Sequence, residues 1–196
     1  QVSGRTLMSK DDLFLHTTRL PKKVVDLIER LALDSPWYYS PDCAYSIDVV
    51  DKLGLPTYPY FSYGWYTGFI NNEHIRQFNL YPWDYFDRAV KPEAYGFSSA
   101  NKLRAHITLQ WPRPEEYGNP HNKHVDRDDN HLVALYYIND SDGDTIFFDG
   151  DDVIHREPVE RGKLVVFNGQ GKYHASSSPS KNIRLTLNVN YGEATP

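Results

Sequence analysis

With 196 residues, 40% hydrophobic and 24% charged, the chain is sized and composed for one globular domain with a real core. A formal charge of −5 without any run of Lys or Arg leaves no nucleic-acid-tracking surface, and no stretch approaches the roughly 18 apolar residues that would span a membrane. A single cysteine, Cys43, excludes a disulfide within the chain and points to a reducing, cytoplasmic setting.

Residues 1–7, ahead of the only methionine, Met8, are neither charged nor apolar enough for a signal peptide and read as left over from expression. Behind them Val24, Ile28 and Leu31 recur at helical spacing after Pro21, which predicts a helix over 21–33, ended by Asp34-Ser35-Pro36. A Tyr/Pro/Gly-rich stretch over 36–68 reads as loops with short strands, and a second helical piece is expected between Asn71 and Val90, interrupted at Pro82. From Asn101 the texture changes to strands over 102–110, 121–125, 131–138, 145–148, 153–158, 164–167 and 182–191. Turn chemistry such as Asp140-Ser141-Asp142-Gly143 and Asn168-Gly169-Gln170-Gly171 divides them. High aromatic content also leans toward strand. The predicted fold is mainly β, a double-stranded β-helix (jelly roll) with supporting N-terminal helices. Within one domain, a support region is expected over 8–100 and the jelly-roll core over 101–196.

His124-Val125-Asp126 places an imidazole and a carboxylate at i and i+2, which share a face on an extended strand. Alone the pattern means little, because chance readily supplies it among 8 His, and a polar strand end explains it as well. Three further features add weight. His174 follows several strands later, directly after a Gly-rich turn, far enough on for a jelly roll to return the chain to the opposite sheet edge. Two His and one carboxylate with open positions form the facial set of non-haem Fe(II) oxygenases. Arg184 then lies on the last strand, opposite in facing to Leu185, Leu187 and Val189. A guanidinium aimed inside needs an anion, and a dicarboxylate cosubstrate held by a bidentate fork would supply one; an internal ion pair with an aspartate is the plainer alternative.

The rivals are weaker. His155-Arg156-Glu157 repeats the His-x-carboxylate pattern but stands too close to His174 for a return across a sandwich. His121 falls on the face opposite His124, and His131 has no carboxylate in register; both read as structural or substrate-side. His16, His74 and His106 have no motif context. No Cys pair, His-Glu-x-x-His, Gly-x-Ser-x-Gly or phosphate loop is present.

From Asn119 to Tyr191 the chain resembles the 2-oxoglutarate/Fe(II) oxygenases, closest to the prolyl 4-hydroxylase-like group. The matching order runs from His124-Val125-Asp126 through Ala134-Leu135-Tyr136-Tyr137-Ile138-Asn139-Asp140 and Gly143-Asp144-Thr145-Ile146-Phe147. It continues through Pro158 to Phe167 and closes with Tyr173-His174-Ala175 and Arg184. The resemblance implies that His124, Asp126 and His174 bind Fe(II) and that Arg184 grips the far carboxylate of 2-oxoglutarate. Tyr137 is implied as its companion, with Leu135 on the same face and Tyr136 on the other. Thr186, Asn188 and Asn190 share the Arg184 face, so Asn188 is a further candidate at the cofactor site. The implied reaction couples O2 and oxidative decarboxylation of 2-oxoglutarate to succinate and CO2 with hydroxylation of a substrate C–H. That substrate is expected to be peptidyl proline or another amino-acid-type molecule, as peptide or small molecule. The family's Gly-Gly before Glu/Asp-Thr is here Asp142-Gly143, and 111–123 is unfamiliar, which puts peptidyl proline in doubt. A non-catalytic jelly-roll binding module, or a metal enzyme without 2-oxoglutarate, are the alternatives.

Overall fold

The computed structural model describes residues 13–40, 42, 47–67 and 81–194. The readings placed on residues 1–7, Cys43 and His74, and on the helical piece before Tyr81, lie outside them.

The first described elements are β1 (His16–Arg19), α1 (Lys22–Leu33), β2 (Tyr38–Ser40), α2 (Ile47–Leu53), β3 (Tyr60–Thr67) and α3 (Tyr81–Val90). Strands β4 (Phe97–Gln110), β5 (Leu132–Tyr137), β6 (Asp144–Asp149) and β7 (Asp152–Pro158) follow. The last are β8 (Lys163–Asn168), β9 (His174–Ser176) and β10 (Arg184–Glu193). They form a seven-stranded sheet in the order β1-β8-β5-β10-β4-β3-β2 and a three-stranded sheet in the order β7-β6-β9, with antiparallel neighbours throughout. This is a jelly roll with helices laid against the larger sheet.

The alternation of side chains along each strand explains the layering. Strand β5 is buried at all six positions, as a strand covered on both faces must be. Its Leu132, Ala134 and Tyr136 join Val24, Ile28 and Ala32 of α1 and Phe86 of α3 in one core. Its Val133, Leu135 and Tyr137 join Phe147 and Phe167 in the other, between the sheets. There Phe147 and Phe167 meet edge-to-face at 5.2 Å, an arrangement that adds about 0.5–1.5 kcal/mol beyond burial. Strands β10 and β4 keep the alternation but not the chemistry. Leu185, Leu187, Val189, Ala105, Ile107 and Leu109 pack toward the helices. The opposite face, toward the sandwich interior, carries Arg184, Thr186, Asn188 and Asn190 beside Arg104, His106, Thr108 and Gln110. A polar stripe inside a sandwich must be satisfied by partners or serve a ligand.

Several expectations need correction. Residues 121–125 form no strand; Tyr117, Pro120 and His124 instead make isolated bridges to Ser178, Ser177 and His174. The chain over 117–124 therefore follows the β9 edge only intermittently, and Pro120 within it offers no backbone donor to extend a ladder. Pro82 lies in the first turn of α3, where no intrahelical donor is required, and whether it interrupts a longer helix depends on residues outside the described ones. Pro21 precedes α1 as its cap residue rather than opening it. Strand β1, the short β9 and helix α2 were not anticipated. The alternating exposure of β1 is set by pairing with β8, and His-Thr-Thr-Arg carries too little apolar pattern to announce it.

Among the described residues no helix is long and apolar enough to cross a membrane.

Candidate metal and cosubstrate site

His124 and His174 exchange two backbone hydrogen bonds, N–H to O at 3.0 and 2.9 Å. Residues paired in this way project their side chains to the same side, which brings the rings to 4.9 Å between centroids. The two histidines are therefore direct neighbours on one edge of the small sheet, not residues facing each other from opposite edges, as the sequence suggests. Asp126, two residues beyond His124, turns back to the same spot, and its Oδ1 lies 4.0 Å from His124 Nε2 and 3.9 Å from His174 Nε2. The ligand atoms of these three residues all fall within 4.8 Å of one another, the one such group among the described residues. His155 is not part of it; its Nε2 pairs with Glu157 at 2.7 Å beside Phe14 and Phe147.

The donor set suits a divalent cation, and the surroundings prepare it. His124 Nδ1 lies 3.2 Å from the Asn122 carbonyl and His174 Nδ1 lies 3.0 Å from the Lys172 carbonyl. A carbonyl oxygen only accepts, so each ring carries a proton on Nδ1, and Nε2 is the ring atom turned toward Asp126. Burial, ahead of the neighbouring His174, holds the His124 pKa down to about 4, so the ring is neutral at neutral pH. Asp126 is 2% exposed. Burial alone would raise its pKa, but Arg104 and the two histidines outweigh that and hold the carboxyl well below the usual range. Its two oxygens are treated differently. Oδ2 accepts from Asn188 Nδ2 at 2.9 Å and Asn190 Nδ2 at 3.0 Å, while Oδ1, facing both histidines, accepts from Arg104 at 2.8 Å.

A cavity of about 380 Å³ leads from this group along the polar stripe. The strand register lays out its floor as successive pairs, Gln110 with Arg184, Thr108 with Thr186 and His106 with Asn188, ending at Arg104, whose register partner Asn190 does not line the cavity. Thr108 and Thr186 close on each other at 2.6 Å between hydroxyls. At the far end Arg184, 4% exposed, donates to Thr145 Oγ1 at 2.8 Å and Gln110 Oε1 at 3.3 Å. Tyr137 is fully buried and does not line the cavity. Its hydroxyl donates to the same Thr145 Oγ1 at 3.0 Å, so the threonine links it to Arg184. Asn188 lines the cavity with its amide committed to Asp126.

Chain segments around Arg184 explain the unfamiliar Asp142-Gly143. A Cβ on Gly143 would stand 2.8 Å from the Ser177 carbonyl and 3.3 Å from Arg184 Cδ, so glycine is required there. Asp142 accepts from the Ser180 and Lys181 backbone at 3.1 and 3.3 Å and pins the turn that leads into β10.

No protein-family model matches the chain, and no curated protein does. Solved structures do. A Pseudomonas putida prolyl-4-hydroxylase is 17% identical, covers 94% of this chain and 95% of its own, and superposes with a TM-score of 0.56. A 2OG-Fe(II) oxygenase-family oxidoreductase from Burkholderia pseudomallei is 14% identical, with 91% and 86% covered and a TM-score of 0.60. The chain has the prolyl-4-hydroxylase-like 2-oxoglutarate oxygenase fold. A third protein with this oxygenase fold, a Trichoplax adhaerens prolyl hydroxylase in complex with a peptide fragment of the hypoxia inducible factor oxygen degradation domain, is 13% identical. There 91% and 79% of the two chains are covered, at a TM-score of 0.56.

The cavity residues not picked out from the sequence include Arg104, Thr108, Gln110 and Thr145; His106 was noted and set aside. The signal was present in β4, where Arg104, His106, Thr108 and Gln110 alternate with Ala105, Ile107 and Leu109. A polar set in step with a buried apolar set marks an interior site rather than a solvent face when the strand is central.

His121 is structural here. It is 6% exposed and bonded to Gln110, Ser176 and Ser178. Burial, followed by Arg184 and Arg113, lowers its pKa to about 3. In the unfolded chain it titrates near 6.5, so its contribution to stability is complete above that pH and is lost progressively as the pH falls toward 3. At pH 5 the loss from this residue is about 2 kcal/mol. Thermal unfolding from pH 7 to 5 should show a falling midpoint, with a shallower fall in His121→Gln; equal slopes in parent and variant would refute this role.

Proposed function

We propose that this chain is an Fe(II)/2-oxoglutarate-dependent oxygenase that hydroxylates a C–H bond of an amino-acid-type substrate, whether peptidyl proline or another molecule of that type. The observation that carries this reading is a single cavity with two ends. A His-Asp-His group with both Nε2 atoms turned toward the carboxylate stands at one end, and a buried guanidinium beside two neutral acceptors stands at the other. Between the Asn188 and Arg184 positions the strand advances about 13 Å at roughly 3.3 Å per residue. That distance suits an arginine side chain followed by a short dicarboxylate.

In this reading His124, Asp126 and His174 would hold the iron, and Arg184 would fork onto the distal carboxylate of 2-oxoglutarate. Iron with its cosubstrate and O2 supplies the oxidising chemistry, with release of succinate and CO2. The protein supplies orientation. Asn188 and Asn190 hold Asp126 Oδ2 and leave Oδ1 for the cation, and the carbonyls of Asn122 and Lys172 fix both imidazole tautomers. Thr145 aligns Arg184, and Tyr137 in turn braces Thr145. The aliphatic and aromatic core beneath β5 and β8 keeps water from the site's inner wall.

Succinate formation from 2-oxoglutarate, measured against pools of prolyl peptides and free amino acids, tests the assignment. Iron- and O2-dependent succinate is expected to rise with at least one pool. Failure of iron-loaded protein to bind 2-oxoglutarate would rule it out.

A further inference from the structure

The cavity contains a second guanidinium that the cosubstrate does not need. Arg104 and Arg184 stand at opposite ends of the polar floor, three register pairs apart across β4 and β10. Asp126 is held at the Arg104 end by Asn188 and Asn190. A ligand stretched from the metal position to Arg184 therefore lies over Thr108 and Thr186, and Arg104 is on the other side of the metal position.

Arg104 is also poorly satisfied. Its Nη2 donates to Asp126 Oδ1, the oxygen turned toward both histidines, and its Nε is buried without a hydrogen-bond partner among the described residues. A cation bound at the three ligand atoms takes up the charge of Oδ1 and sets a positive centre beside a positive guanidinium. Like charges at that range repel strongly in a partly buried site, and a buried donor left without an acceptor is costly. Arg104, with its side chain 36% exposed and lining the cavity, is then free to present its planar fork to an incoming anion. The adjacent His106 lines the same wall. Burial, then Arg104, lowers its pKa to about 4, and its neutral ring has no hydrogen-bond partner among the described residues, so it can hydrogen-bond a neutral group beside that anion.

Building on the oxygenase reading above, we propose that Arg104 is a specificity-determining residue that binds a carboxylate of the substrate, so that the substrate class is a carboxylate-bearing small molecule of amino-acid type rather than an internal residue of a peptide.

The test uses the full chain loaded with Mn(II) and saturated with 2-oxoglutarate, titrated calorimetrically with free L-amino acids and with the same amino acids as carboxamides. The tightest-binding acid should exceed its amide by roughly 30-fold or more in the parent. In Arg104→Gln that preference should collapse to about threefold or less, with Arg104→Lys between, because lysine keeps the charge and loses the fork. Mn(II) and 2-oxoglutarate affinities of Arg104→Gln should stay within roughly tenfold of the parent. Equal binding of acid and amide, binding of no free amino acid, or an undiminished preference in Arg104→Gln would each overturn the proposal. A larger loss of Mn(II) affinity would also overturn it, by showing that Arg104 serves Asp126 instead. If the parent fails to bind Mn(II) or 2-oxoglutarate at all, the oxygenase reading falls and this inference with it; if both bind and only the acid preference is missing, the oxygenase reading stands.

Discussion

His174→Ala is expected to abolish stoichiometric Fe(II) or Mn(II) binding, and His124→Ala and Asp126→Ala should do the same. Each removes one of three ligand atoms that lie within 4.8 Å of one another. Loss of an outer-shell partner typically costs roughly 10–100-fold in affinity, and loss of a ligand should exceed that. The surrounding hydrogen bonds predict a graded series. Asn188→Ala and Asn190→Ala each leave Asp126 Oδ2 one other amide donor, so each should weaken the metal by no more than about 10–100-fold. His155→Ala should leave metal affinity unchanged, because His155 pairs with Glu157 away from the group. Calorimetric metal titration orders these variants. Parent-like affinity in His174→Ala would exclude the centre, and a loss in His155→Ala as large as in His174→Ala would mean that the wrong histidine had been assigned.

Arg184→Ala should weaken 2-oxoglutarate binding while leaving the metal in place. Removing one partner of a buried, hydrogen-bonded charge pair costs about 2–5 kcal/mol, which is roughly 30-fold to several thousandfold in affinity. Arg184→Lys should fall between parent and alanine, since lysine presents a point charge in place of a fork. Thr145 accepts from Arg184 and from Tyr137, so Tyr137→Phe removes an indirect support and should cost no more than about 0.5–1.5 kcal/mol. Anaerobic titration of iron-loaded protein, followed by its visible absorption on 2-oxoglutarate binding, separates the variants. An Arg184→Ala protein that binds 2-oxoglutarate as the parent does would remove the anchor. A Tyr137→Phe loss as large as that of Arg184→Ala would place the phenol directly on the ligand.

What the sequence by itself determined was whatever repeats within a strand or helix. Val24, Ile28 and Leu31 announced α1 because a 3.6-residue period needs no distant partner to be read. Alternation placed Tyr137 with Leu135 and against Tyr136, and Arg184 against Leu185, since a period of two fixes facing within one segment. The order His124, Asp126, His174, Arg184 was also legible, together with the sandwich class. The tertiary structure alone decided what depends on pairing between distant segments. It made His124 and His174 neighbours through two backbone hydrogen bonds across β9, although 121–125 lacks the ladder of a strand. It also brought Arg104, Asn188 and Asn190 onto one carboxylate, because the β4–β10 register joins residues from distant parts of the chain. Interstrand register is written in backbone hydrogen bonds that every residue but proline offers alike, so side-chain identities specify it only once the sandwich closes and its two cores select one alignment.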